Sequence, residues 1–308
     1  MRALVTGGNG FVGRYLCLEL RARGIETLVA GRSEDGDVDV PLDLADPADV
    51  RGAIGDARPH VVFHLAAQAF VPAATAAPLD TYDTNVMGTA RVIEAVRALP
   101  ASARPRVLFT SSGEVYGARD GSEMPLRESA APAPATPYAA SKAAAEAIVL
   151  ASARTYGFDA IVTRAFNHIG PGQNERFVVA AFAKRLAAIA AGGAPLFLVG
   201  NLTPQRDFLD VRDVVRAYAD LAERGTPGEI YNVCSGVPTR IVEVLRHLVN
   251  VARVGVEIRE DPNLMRSVDV PVAYGDNSKL RDATGWKPEV PLARSLRDVY
   301  EAARAAAA

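Results

Sequence analysis

Residues 6–13 read "TGGNGFVG", and this stretch decides the fold. Gly7, Gly10 and Gly13 stand in G-x-x-G-x-x-G spacing. Ahead of them, "RALVTG" is a short apolar strand. Behind them, "FVGRYLCLELRARG" carries its apolar residues at helical period. A glycine triplet alone is a weak signal. Between a first strand and a first helix it is a turn that lets the backbone approach a pyrophosphate. The helix then aims free N–H groups and its positive dipole end at the anion. Phe11 and Val12, inside the turn, belong to the same expected contact set. The plainer reading is a tight strand–helix turn with no ligand.

The rhythm continues outward. "IETLVAG" (25–31), "VDVPLDL" (38–44), "HVVFHLAA" (60–67), "RVLFTSS" (106–112) and "DAIVTRAF" (159–166) read as strands. Helices are expected at 47–54, 81–99 and 138–157. Nearly continuous apolar strands alternating with helices imply a parallel sheet buried on both faces. Right-handed crossovers make it an α/β, Rossmann-like, doubly wound sheet. After Gln173 the order changes: helices at 176–192, 213–224, 241–252 and 292–308, and strands "PLFLVG", "EIYNVCSG" and "VEIRE". We therefore expect a dinucleotide-binding domain over 1–166, which strand 229–235 rejoins. A smaller α/β substrate domain over 167–308 is interleaved with it.

The 308 residues suffice for a sizeable core, and 49% hydrophobic with 23% charged is ordinary for a globular chain. A net charge of -2 gives no basic excess for nucleic acid, and no Lys/Arg block points to a membrane surface. No apolar run reaches the roughly 18 residues of a spanning helix. Met1 leads directly into a strand, so no signal peptide is expected and the cytoplasm is the default compartment. Cys17 and Cys234 cannot build a disulfide framework and read as small buried fillers. Four scattered histidines and no clustered cysteines predict no metal.

The second strand ends in "VAGRS". An NAD site usually offers an acid there for the ribose 2′-hydroxyl. This chain offers Arg32 with Ser33, and a guanidinium matches a phosphate, so NADPH is expected, with NADH possible. The plain reading of Arg32 is an exposed loop charge. Asp43 and Leu44 follow the third strand, where an acid can accept from the adenine amine. Asp46 suits the cap of the next helix better. Leu65, Ala66 and Ala67 end the fourth strand with side chains that let a cofactor lie over the sheet edge, whereas His64 reads as a core histidine.

Tyr138 and Lys142 form Tyr-x-x-x-Lys on one helix face. An adjacent ammonium favours the phenolate and draws a phenol down from about 10 towards working pH. Such a tyrosine can pass a proton to or from a sugar or alcohol oxygen while hydride moves on a nicotinamide. Ser112 closes the fifth strand, where ligands of doubly wound sheets bind, and can hydrogen-bond the reacting oxygen. Its plain reading is a strand-end cap.

The motifs "TGGNGFVG", "HLAAQ", "NVMGT", "SSGEVYG", "YAASK" and "RDFLDVRDV" together resemble the extended short-chain dehydrogenase/reductase superfamily, in its nucleotide-sugar branch, over nearly the whole chain. The resemblance implies Ser112, Tyr138 and Lys142 as catalytic residues, with Tyr138 and Lys142 also touching the cofactor. It implies Asn85 as the support from the next helix and Gln68 as a substrate contact. "AFNHIGPGQNERFVVAAFAKRLA", "VGNLTPQRDFLDVRDVV", "EIYNVCSG" and "TGWKPEVPLARSL" are similar to bacterial GDP-6-deoxy-4-keto-D-mannose reductases, which make GDP-D-rhamnose.

GDP-mannose 4,6-dehydratases and epimerases on the same scaffold remain the alternative. The dehydratases typically continue Asn-His-Glu-Ser-Pro, where this chain has Ile169-Gly170-Pro171-Gly172, and they have Thr where Ser112 stands. In them an acid at the place of Glu114 removes the sugar C5 proton. Here Glu114 is either a catalytic group or a structural carboxylate. Asn167 and His168 are expected to close the sixth strand beside the nicotinamide. Arg206, in a polar loop, and Arg266 can close on a diphosphate. Asn167, Lys184 and Asn201 complete the expected contacts to a GDP-sugar, with Arg185 beside Lys184. Helices 81–99 and 138–156 are rich in alanine, which allows close packing within one subunit or between two, and the resemblance implies a homodimer through a four-helix bundle.

Overall fold

The computed structural model describes residues 1–32, 38–264 and 270–307. The first half runs β1 (Arg2–Thr6), α1 (Phe11–Ala22), β2 (Glu26–Gly31), β3 (Val40–Pro41), α2 (Pro47–Ala57) and β4 (Val61–His64). It continues α3 (Val71–Ala76), α4 (Pro78–Tyr82), a π-helical turn (Asp83–Met87), α5 (Gly88–Ala98), β5 (Arg106–Ser112), α6 (Pro137–Tyr156) and β6 (Ala160–Ala165). The second half holds β7 (Asn167–Ile169), α7 (Val178–Ala190), β8 (Leu196–Val199), β9 (Gln205–Asp210), α8 (Val211–Arg224) and β10 (Ile230–Val233). It ends with β11 (Pro238–Arg240), α9 (Ile241–Ala252), β12 (Glu257–Glu260), β13 (Val272–Ala273), α10 (Ser278–Thr284) and α11 (Leu292–Ala307).

Seven strands form one parallel sheet in the order β10-β6-β5-β4-β1-β2-β3. The order reverses between β1 and β4, which opens a crevice beyond their carboxyl ends. Alternate residues serve the two faces. Ala3, Val5, Phe63, Leu108 and Ile161 meet Leu16 and Leu20 of α1 and the apolar side of α8. Leu4, Val62, Phe109 and Val162 meet α2, α5 and α6. Each fully buried Leu, Ile or Val contributes about 1.5–3 kcal/mol. As expected, β10 pairs with β6. Unexpectedly, α8 and α10 also pack on the sheet, through Val214, Val215, Leu221 and Leu280.

The remaining elements surround a second core of Phe182, Leu186, Phe197, Phe208, Leu245, Leu248 and Tyr300. β9 is central to its small sheet, pairing with β7, β11 and β13, while β8 pairs with β12. Three expectations change here. The helix expected over 81–99 is split into α4, the π turn and α5. Asn167 and His168 do not close the sixth strand; they open β7, which pairs with β9. Arg206 lies within β9 and not in a loop.

Candidate active site

The catalytic helix is set by local chemistry. Thr136 caps α6 by accepting from the Ala139 N–H, and Pro137 takes the first helical position, where no N–H is needed. Tyr138 therefore projects from the first turn, with Lys142 and Glu146 one and two turns further along the same face. Ser112 ends β5, and its Oγ accepts from the Glu114 N–H at 3.2 Å, starting the 3₁₀ turn Gly113–Tyr116. The capping reading of Ser112 holds, and the residue also lies within reach of the Tyr138 hydroxyl.

Tyr138 is half-buried as a residue, but its hydroxyl is desolvated. Burial pushes the phenol up to about 12, the Glu114 carboxylate pushes it the same way, and the Ser112 bond pulls it down. The expectation that Lys142 lowers it does not hold. The Lys142 Nζ donates to the Thr110 carbonyl at 2.7 Å and lies 4.9 Å from the Phe109 ring centre. Burial brings Lys142 down to about 8, against the pull of Glu146. The site thus presents a phenol that keeps its proton at neutral pH.

Asn85, buried in the π turn, ties the surrounding pieces together. Its Nδ2 donates to the Gln68 carbonyl and to Ser141 Oγ, both at 2.9 Å, and its Oδ1 accepts from the Gln68 N–H at 2.8 Å. Ser141 donates in turn to the Tyr138 carbonyl at 2.7 Å. π turns recur at functional sites because they turn one side chain out of helical register. The Gln68 side chain is engaged locally: its Nε2 donates to Thr81 and its Oε1 accepts from the Phe70 N–H. His64 is a core histidine, bonded to Thr6 at 2.7 Å and Thr89 at 3.0 Å and lowered to about 3 by burial.

At the other end of the crevice the glycine turn fits a dinucleotide. Gly10 caps α1 with no side-chain hydrogen bond, so the first-turn N–H groups stay open. Gly7, at φ +68°, brings its Cα so close to the post-β4 segment that an added Cβ would lie 2.9 Å from Ala66 N and Cα. Leu65, Ala66 and Ala67 continue that segment, held by bonds from Leu65 N and Ala66 N to Thr6. A Cβ on Gly13 would fall 2.2 Å from the Gly7 carbonyl. Two buried polar atoms nearby, Asn9 Nδ2 and Ser111 Oγ, have no partner in the protein, as expected of a crevice shaped for a polar ligand.

Phe11 stacks on His168 with centroids 6.2 Å apart, and Val12 sits half-buried beside it. Arg32 is exposed just past β2. Asp43 accepts from the Ala45 N–H, Leu44 packs on the start of α5 at Gly88, and Asp46 caps α2 as expected.

The expected substrate residues are more dispersed. Arg206 Nη1 donates to the Gln205 and Val270 carbonyls at 2.9 and 2.6 Å. Asn167 is exposed at the start of β7. Asn201 Oδ1 accepts from Thr203. Lys184 is exposed and paired with Glu175, while Arg185 bonds the Leu196 and Leu198 carbonyls. Arg266, like Ser33, lies outside the described residues.

A sequence model of the family described as GDP-mannose 4,6 dehydratase matches residues 4–299. The chain belongs to this family. It is an extended short-chain dehydrogenase/reductase of the nucleotide-sugar branch. A GDP-6-deoxy-D-mannose reductase of Pseudomonas aeruginosa is 39% identical, over 97% of this chain and 95% of its own length. A UDP-glucose 4-epimerase of Mycolicibacterium smegmatis is 33% identical, over 98% of each. The solved structure of RMD from Pseudomonas aeruginosa complexed with NADPH superposes with a TM-score of 0.89 at 37% identity, covering 99% of both chains. The relatives thus carry reductase and epimerase names alike. No helix among the described residues is long and apolar enough to cross a membrane.

Proposed function

We propose that the protein reduces the C4 keto group of GDP-4-keto-6-deoxy-D-mannose to GDP-D-rhamnose, with NADPH as hydride donor. One observation carries the reading: Tyr138, one turn before Lys142 on α6, has a buried hydroxyl that burial raises to about 12, so it stands as a proton donor. A reduction needs an acid at the start, whereas an oxidation of the sugar needs a base. The 39% identity to a GDP-6-deoxy-D-mannose reductase supports it.

NADPH, when bound, supplies the hydride. The first turn of α1 and Gly7, Gly10 and Gly13 hold the pyrophosphate, Arg32 takes the adenosine 2′-phosphate, and Asp43 and Leu44 line the adenine. Lys142 and Tyr138 hold the nicotinamide ribose. As C4 accepts the hydride, the carbonyl π bond breaks towards O4 and Tyr138 gives its Oη proton to that oxygen. Ser112 orients the carbonyl and stabilises the developing charge. Asn167, Arg206 and Arg266 bind the GDP-sugar, with Gln68, Lys184 and Asn201 at its margins. Residues 1–166 with 229–235 make the dinucleotide half, on which α8 and α10 also pack, and the rest of 167–308 makes the substrate half.

The test is incubation with GDP-4-keto-6-deoxy-D-mannose and NADPH, following NADPH absorbance and identifying the product. One NADPH consumed per GDP-D-rhamnose is expected. Conversion without NADPH loss would assign the chain to the epimerases, and formation of this keto sugar from GDP-mannose to the dehydratases, the reading for which Glu114 is the candidate base. No conversion would remove the reaction altogether.

Two copies are proposed to pair through α5 and α6, whose neighbourhood exposes Leu79 and Met87. Sedimentation should then give the mass of two chains, and a monomer would remove that pairing. Two buried free thiols, Cys17 and Cys234, fit work in the reducing cytoplasm.

A further inference from the structure

Arg164 is an arginine in a strand buried on both faces, only 2% exposed. Its Nε and Nη2 bond the Glu146 carboxylate of α6 at 3.0 and 2.7 Å. The guanidinium Cζ lies over the Tyr116 ring, 4.7 Å from its centre. Nη1 has no hydrogen-bond acceptor, and the ring face compensates its charge. Tyr116, fully buried at the end of the turn that begins after Ser112, donates to Asn232 Oδ1 of β10 at 2.6 Å. Asn232 is itself held: its N–H donates to Glu128 and its Nδ2 to the Leu126 carbonyl, both at 2.8 Å.

These contacts form a rigid series from α6 through β6 and the turn to β10. Tyr138, Lys142 and Glu146 share one face of α6, so the pair with Arg164 fixes the rotation of that face. The ring of Tyr116 fixes the turn carrying Glu114. We infer that Arg164 is a positioning residue, setting the Ser112–Glu114 turn against the Tyr138–Lys142 helix face. It touches neither substrate nor cofactor. The planar, two-pronged and stackable guanidinium is what the place requires, and an ammonium cannot make both contacts.

The inference rests on the reduction proposed above, and its test separates the two. Arg164→Lys keeps the charge pair but loses the fork and the stacking. Arg164→Met with Glu146→Met removes both buried charges together and avoids stranding either. Both variants are expected to bind one NADPH per chain with a Kd within about threefold of wild type, as the glycine turn that holds the pyrophosphate lies at the other end of the crevice. Their kcat per NADPH-binding site should fall roughly 10- to 100-fold with KM for the GDP-sugar little changed, the pattern of misplaced groups.

Crystals with NADPH should show residues 113–116 displaced from Tyr138 by more than about 0.5 Å relative to wild type. Wild-type kcat per site in either variant would overturn the inference. An unmoved turn would do so whether or not the GDP-sugar is the right substrate. A wild-type protein that consumes no NADPH fails the reductase reading, and the crystal comparison then decides this one alone. Should neither arginine variant fold, Tyr116→Leu keeps the Arg164–Glu146 pair and removes the ring beside the guanidinium. An unchanged kcat there would equally overturn the inference.

Discussion

Tyr138→Phe should lower kcat by ~10² or more, the usual scale of general acid catalysis, while NADPH Kd stays within a few-fold of wild type. The separation follows from the geometry. The hydroxyl lies near Ser112 and Glu114, whereas the pyrophosphate turn is built from the other end of the crevice. The phenyl ring keeps the packing of the first turn of α6, so the fold should not respond. The measurement is kcat and NADPH fluorescence titration on the same preparation. A variant that turns over at the wild-type rate would take Tyr138 out of the reaction and leave Glu114 as the nearest candidate acid. Because the phenol is held near 12, it enters the reaction as a proton donor throughout the neutral range.

Gly13→Ala is expected to act on both fold and cofactor. Its Cβ would lie 2.2 Å from the Gly7 carbonyl and 2.6 Å from Gly8 Cα, backbone atoms that no rotamer change can move aside. The first turn of α1 must shift away from β1, at the 1–3 kcal/mol typical of overpacking or more. A Tm lower by roughly 5 °C is the expected size in a chain of this length. NADPH Kd should rise at least tenfold, about 1.4 kcal/mol, since the shifted turn no longer aims its N–H groups together. Gly10→Ala is the contrast. Its Cβ meets only the Gly7 carbonyl, at 3.1 Å, on the open side of the helix start. That variant should keep its Tm and lose affinity only. Equal Tm and affinity for Gly13→Ala and wild type would show that the turn tolerates a side chain, and would remove close backbone approach as the reason for the triplet.

The parallel sheet was legible because its signals are local: apolar strands, periodic helices and a glycine turn between the first two. Tyr138, Lys142 and Ser112 were legible for the same reason, as a four-residue spacing and a strand end. What the reading misjudged is long-range. Tyr138 and Lys142 are neighbours on a helix face, but Thr110 captures the ammonium, and burial dominates the phenol. Asn167 looked like the end of a strand because the turn that separates Ala165 from Asn167 contains only Phe166, a good strand former. Arg206 looked like a loop residue because it follows the polar run "NLTPQ" and stands next to Asp207. Asp207 is nevertheless buried, accepting bonds from Ser235 and Gly236. Arg164 carried a signal that went unused: a charge inside an otherwise apolar strand needs a buried acid, and Glu146 stands one helical turn beyond Lys142.

The return of β10, α8 and α10 to the main sheet bears on how such a chain can change. Its two units are not modules that can be cut and joined. A recombination point near residue 166 would separate β6 from the strand that covers its edge and α1 from the helix packed beside it. New sugar preferences in this architecture must therefore arise by replacing single side chains or resizing loops around the crevice, not by exchanging one half for another.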